Sequence, residues 1–291
     1  MTTATHKVMD TKQTINITDF PDEILEKILI IFVGKCSMTD FLATRRVCNK
    51  WRSICKSESI IEKLSIKQRS FKFKTIEDWK VNKQFPLAIF EKYYEVNLSD
   101  TQVTDVSALG NVHTLILSYT EVTDVSALGN VNTLNLSYTP VRDVSALGNV
   151  NILNLSYTQV TDVSALGDVH TLKLWGCHKV TDVSPLGNVH ILDLSETEVT
   201  DVSALGKVHI LCLSHTPVRD VSALGKVHTL NLSYTQVTDV SELGKVHILC
   251  LSHTPVRDVS ALGNVHTLNL SYTQVTDVSV LGNVNTLNLS Y

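Results

Sequence analysis

Beyond residue 100 the chain contains no phenylalanine and a single tryptophan, Trp175. Any core there must be filled by aliphatic side chains. No apolar run approaches the roughly 18–20 residues that cross a bilayer as a helix, so the sequence offers no membrane span. The opening segment, MTTATHKVMDTKQTINITDF, lacks the apolar stretch of a secretory signal. The six cysteines, at 36, 48, 55, 177, 212 and 250, include no CxxC pair. That pattern fits reduced thiols in a cytoplasmic or nuclear protein. No Gly-rich phosphate loop, nucleophile–base set or metal-ligand cluster appears, so neither an enzyme nor a cofactor is expected.

The net charge of −4 conceals an asymmetry. Residues 1–95 carry 17 Lys+Arg against 12 Asp+Glu, whereas residues 96–291 carry 8 against 17. The acidic half is a poor platform for nucleic acid, and the mildly basic half mixes its signs as a solvated helical face does.

Most of the chain is one 19-residue phrase. It opens at Val103, Val122, Val141, Val160, Val180, Val199, Val218, Val237, Val256 and Val275, with one 20-residue step between Val160 and Val180. A fixed period of this size predicts a solenoid, in which each coil buries its apolar face only by stacking on the next. Within a coil, Val112-His-Thr-Leu-Ile-Leu-Ser-Tyr-Thr-Glu-Val122 alternates apolar and polar residues as a half-buried strand does. Residues 199–236 and 237–274 differ only at Ala204/Glu242 and Lys226/Asn264, so the array has been copied in pairs. The sequence stops on a strand at Leu289-Ser290-Tyr291. An uncapped last coil is expected there, with truncation, fraying or end-to-end self-association as its possible meanings.

Stacking turns each repeated residue into a column. An Asp precedes every Val-Ser-x-Leu-Gly, from Asp105 to Asp277. Its expected role is an N-cap or Asx-turn at a short helical turn. His113, His170, His190, His209, His228, His247 and His266 form a second column, expected to be a solvated edge, with metal binding or pH sensing the lesser reading. The outward strand positions and the Tyr/His stripe beyond them are the expected target-binding face: Asn135, Tyr138, Asn154, Tyr157, Lys173, Trp175, His178, Asp193, Glu196, His215 and Tyr234. The Lys173–Glu198 stretch departs most from the repeat, and Trp175 there is the expected hot spot.

The first hundred residues do not repeat. Residues 1–17 are polar and Thr-rich, an expected disordered lead. Residues 18–57 show three short amphipathic helices. Pro21, Asp22 and Glu23 suit the first turn of one, Ile24, Leu25, Ile28, Leu29 and Phe32 make its apolar stripe, and Gly34 ends it. Residues 58–95 crowd Phe71, Phe73, Trp79, Phe85, Phe90, Tyr93 and Tyr94 together, as a helical and aromatic linker capping the solenoid would.

Two motifs carry a resemblance. Phe20-Pro21-Asp22-Glu23-Ile24-Leu25 and Val47-Cys48-Asn49-Lys50-Trp51 are similar to the opening and closing signatures of the F-box. Phe20 stands where leucine is usual, and the connection from Val33 to Thr39 is longer than usual. The solenoid coil, with Thr at the ninth place and Cys177 in one copy, resembles the leucine-rich repeat, as in F-box repeat proteins of large DNA viruses. The implied fold is α+β: a short N-terminal three-helix F-box, then residues 96–291 as a curved leucine-rich-repeat solenoid with a parallel β-sheet. The resemblance implies that Phe20, Pro21, Ile24, Leu25, Ile28, Leu29, Phe41, Leu42, Val47, Cys48 and Trp51 dock a Skp-family adaptor of a cullin–RING ubiquitin ligase. The solenoid would hold an unknown target protein, without nucleic acid, membrane, metal or cofactor. The alternative is a repeat scaffold or inhibitor without a ligase role.

Overall fold

The computed structural model describes the backbone of residues 70–72 and residues 95–290. The chain divides into two compact units, Met1–Arg69 and Ser70–Tyr291. The expectations for the disordered lead and the three helices lie outside the described residues, as does the expected linker over 58–95 except at residues 70–72 and 95, which are strand rather than helix.

The second unit is one sheet of twelve parallel strands in chain order. It starts with β1 (Ser70–Lys72), continues with β2 (Glu95–Asn97) and ends with β12 (Thr286–Asn288). β1 pairs with β2 in parallel register, Phe71 opposite Val96. The sheet therefore begins one strand earlier than the repeat, on Ser70-Phe71-Lys72, which lacks the repeat motif.

Each strand is only three residues long, and its ladder continues past it. Leu117 N–H donates to the Asn135 carbonyl at 2.8 Å, and Tyr119 N–H donates to the Ser137 carbonyl at 3.1 Å. The return path of each coil holds one short 3-10 turn, such as Ser126–Leu128. Such a turn is compact enough to fit a 19-residue coil, where an α-helix with its own flanks would not.

Six aliphatic side chains per coil make the core. In one coil these are Leu115, Leu117, Val122, Val125, Leu128 and Val131, all at most 2 % exposed. Each contributes about 1.5–3 kcal/mol when fully buried. Coil-to-coil approach is tight enough to require glycine: a Cβ on Gly148 would sit 2.6 Å from the Ala165 carbonyl oxygen of the next coil.

Apart from Thr158, whose hydroxyl also lies 3.5 Å from the Cys177 sulfur of the next coil, the ninth-place threonines do not bridge coils as a side-chain ladder would. Each donates its hydroxyl inside its own coil, as Thr120 does to the Leu117 carbonyl at 2.6 Å. Cys177 does bridge. Its thiol donates to the Leu155 carbonyl of the preceding coil at 3.0 Å.

Candidate protein-interaction face

The aspartate column builds the coil corners. Asp124 Oδ1 accepts the Ser126 backbone N–H at 2.9 Å, and Asp143, Asp162, Asp182, Asp201, Asp220, Asp239, Asp258 and Asp277 repeat the bond to the serine two residues on. This is the Asx-turn of the two expected roles; the cap position itself belongs to the following valine, which has no side-chain bond. The Ser126 backbone N–H and hydroxyl hold the Asp124 carboxyl below its ordinary value, because hydrogen bonds favour its anion.

The outward strand column is Asn135, Asn154, Lys173 and Asp193, on four strands in continuous register. Its amides are partly committed. Asn135 Oδ1 accepts both the N–H (3.0 Å) and the hydroxyl (2.8 Å) of Ser137, and Asn154 does the same with Ser156. Asp193 likewise takes the Ser195 N–H. What these residues offer outward is the amide NH2 of the asparagines, not their carbonyl oxygen. Asn231 and Asn269 turn that NH2 onto the sulfurs of Cys212 and Cys250, both at 3.3 Å.

Beyond the strand, one residue per coil adopts a left-handed backbone. Tyr119, Tyr138, Tyr157, Glu196, His215, Tyr234, His253 and Tyr272 all have φ between 56° and 60°, and Gly176 has φ 70°. This conformation splays successive rings onto one another. Tyr119, Tyr138 and Tyr157 stack at 4.5 and 4.6 Å, and Trp175 closes the run at 5.2 Å with a tilt of 59°. A second run, His215, Tyr234, His253 and Tyr272, stacks at 4.2–4.3 Å. Tyr119 is 56 % exposed and Trp175 43 %. Ring pairs of this kind add about 0.5–1.5 kcal/mol beyond area burial.

Between the runs lies the irregular coil. Tyr157 donates its hydroxyl to Glu196 Oε2 at 3.0 Å, spanning two coils. It can lean across because Gly176 has no side chain: a Cβ there would be 2.5 Å from Tyr157 Cε1. Desolvation first, then the Glu196 carboxylate, push the Tyr157 phenol up to about 12. The structure thus gathers Tyr138, Tyr157, Trp175 and Glu196 into one cluster. It places His215 and Tyr234 in the second run and leaves His178 exposed on the far side of buried Cys177.

A third column, of histidine rings, lines the entry edge of the strands. His170, His190, His209, His228, His247 and His266 pack at 4.6–4.8 Å between centroids. Among the described residues no group of three or more His, Cys, Asp or Glu is placed to hold a metal ion, and no helix there is long and apolar enough to cross a membrane.

The family comparison decides the first unit. The F-box domain model matches residues 17–63. These residues are an F-box domain. The match runs past the expected third helix and takes in both expected signatures. A search of curated protein sequences finds no match. Solved structures give the fold of the second unit. The functional domain of InlJ from Listeria monocytogenes superposes with a TM-score of 0.56 at 22 % identity, over 71 % of this chain and 50 % of that one. The chain thus spans half the length of that domain. A leucine-rich-repeat protein of Leptospira interrogans gives 0.54 at 18 % identity, over 84 % of this chain and 74 % of that one. The mouse RP105/MD-1 complex gives 0.50 at 18 % identity, over 67 % and 41 %. The second unit is a leucine-rich-repeat solenoid. One chain thus carries a segment that matches the F-box domain and a second unit with the leucine-rich-repeat fold.

Proposed function

We propose that the chain is the substrate-recruiting F-box subunit of a cullin–RING ubiquitin ligase. The F-box match at residues 17–63, in one chain with a leucine-rich-repeat solenoid, carries this reading. In it, Phe20, Pro21, Ile24, Leu25 and their neighbours through Trp51 dock a Skp-family adaptor. The solenoid holds a target protein on its outward strand column and aromatic stripe, with the Tyr157–Trp175–Glu196 cluster as the contact of greatest effect. The mechanism is proximity: the target is oriented toward a ubiquitin donor supplied by other subunits, and this chain makes or breaks no bond. A cytoplasmic or nuclear location goes with that role.

Crosslinking from the strand face in the native cell, then identifying the captured protein, tests the reading. A captured protein whose ubiquitin load falls when the chain carries Pro21→Ala with Leu25→Ala supports it. A captured protein whose ubiquitin load is indifferent to that change contradicts it, and favours a scaffold without a ligase role.

A further inference from the structure

The histidine column stands on the second unit, and its stacked rings run along an exposed edge rather than converging on a point. His170 and His228 each share a hydrogen bond between Nδ1 and the hydroxyl of the next threonine, at 3.2 Å, which leaves Nε2 free to face solvent. Two residues before His209, His228 and His247 stand Lys207, Lys226 and Lys245, all exposed, on three successive coils. This edge is the most cationic strip of a solenoid that otherwise carries 17 Asp+Glu against 8 Lys+Arg. The other charged groups close to it in each coil are Asp168 in the turn before His170, and Lys173 and Asp193 on the strands that follow His170 and His190.

The same coils carry an exposed anionic column, from Asp124 to Asp277. Its neighbours are Arg142, Arg219 and Arg257, each directly before an aspartate, and Glu242, which lines one cavity with Asp220 and Asp239. Both columns advance by one coil per step, which for the histidine rings is 4.6–4.8 Å. An extended peptide repeats a face every ~6.7 Å, and B-DNA places a phosphate on each strand every ~3.4 Å. Neither keeps register with the histidine column beyond one or two steps. A second copy of this chain does, over the whole ladder.

We propose that the histidine/lysine edge is a pH-gated interface for a second copy of this chain, whose aspartate ridge lies along it. At neutral pH the imidazoles are uncharged and the solenoid's charge keeps copies apart. Protonation of stacked rings adds positive charge along the edge, although desolvation and then His209 and His247 hold His228 below its ordinary value. The aspartates remain anionic in that range, because their turn bonds hold their carboxyls below the ordinary value. Residues 96–291 contain ten histidines and the chain eleven, so full protonation takes this half from −9 to +1 and the whole chain from −4 to +7; the association therefore rests on the two oppositely charged columns and not on a loss of net charge.

Sedimentation velocity of the full chain tests this, in low salt, at pH about 7.5 and about 5.5, either side of the ordinary imidazole value near 6.5. The expected result is a monomer at the higher pH and species of two or more copies at the lower, because each edge-to-ridge contact leaves one edge and one ridge free. They should revert on back-titration and dissolve in about 1 M salt, where the Debye length is about 3 Å. His209→Gln/His228→Gln/His247→Gln should abolish the association. His178→Gln/His215→Gln/His253→Gln removes the same number of titrating charges off the column and should leave it intact. Melting curves at pH about 7.5 confirm that both variants fold. A monomer at both pH values overturns the proposal. Equal loss in the two triple variants overturns it too, since that would be an isoelectric effect. So does an edge that takes up an added polyglutamate peptide while the chain stays monomeric.

Discussion

The Tyr157 hydroxyl reaches the Glu196 carboxylate at 3.0 Å over a coil whose equivalent residue, Gly176, has no side chain. The two runs of stacked rings meet at this bridge. It joins the two coils that flank the one of different length, passing over that coil at Gly176.

Gly176→Ala should therefore destabilise the solenoid through two separable effects. The left-handed φ of 70° costs an alanine about 1–2 kcal/mol. The new methyl would also displace the Tyr157 ring. In a Tyr157→Ala background only the backbone effect remains, so a double-mutant cycle by thermal or denaturant melting should show coupling between the two sites. Additive effects would mean that the ring does not occupy that space.

Much of this architecture is legible in the residue order. The 19-residue period specifies the solenoid, the alternation in Val-His-Thr-Leu-Ile-Leu specifies the strand, and Asp-Val-Ser specifies the corner turn. The left-handed backbone of the Tyr/His column is not legible, because tyrosine has no preference for it. The only hint is that Gly176, Asp100 and Glu196 occupy equivalent places, and glycine and aspartate tolerate that conformation. The Asn-x-Ser bonds that bind up the Asn135 and Asn154 carbonyls were a local pattern in plain view. The Tyr157–Glu196 contact joins residues 39 apart in sequence, and no pattern in a single sequence announces it.

The Tyr157 phenol stands at about 12 against an ordinary value near 10. A raised folded value means that its contribution to stability is complete below about pH 10 and disappears as pH climbs toward about 12. Phenolate absorbance during alkaline titration should show Tyr157 lagging, with Tyr138, raised by desolvation and then by Tyr119, also above the ordinary value. Glu196→Gln should bring Tyr157 partway down, since desolvation, the larger cause, is left in place. No change in the titration of that tyrosine would contradict the bridge.

Cys177 is fully buried, and burial pushes its thiol up. Cys212 and Cys250 lie half-buried on the outward strand column. Brief treatment of the native protein with iodoacetamide, followed by peptide mass mapping, should modify Cys212 and Cys250 well before Cys177. Cys177→Ala should cost about 1–2 kcal/mol, for the lost thiol bond to the Leu155 carbonyl and the small void. Cys177→Thr should recover part of this if the threonine makes the within-coil bond of its neighbours.

The corner aspartates set the acid limit of the fold. Their folded values are lowered, chiefly by serine N–H and hydroxyl donors. A lowered value contributes stability above the ordinary value of 3.8, and that stability is lost as pH falls through the folded value. Melting temperature should fall steeply over that acid range. Asp201→Asn keeps an acceptor for the Ser203 N–H without the charge, so it should lower stability at neutral pH less than Asp201→Ala does. It should also flatten the acid dependence slightly.

The central claim is that the first unit carries the solenoid to a ubiquitin ligase through a Skp-family adaptor. Titration calorimetry of the intact chain with a purified adaptor tests it most directly. The account predicts a one-to-one complex that Pro21→Ala with Leu25→Ala weakens at least tenfold while the solenoid's melting temperature stays put, a loss of about 1.4 kcal/mol of binding or more. An intact, folded chain that gives no binding heat with any Skp-family adaptor, and does not co-migrate with one, would contradict it.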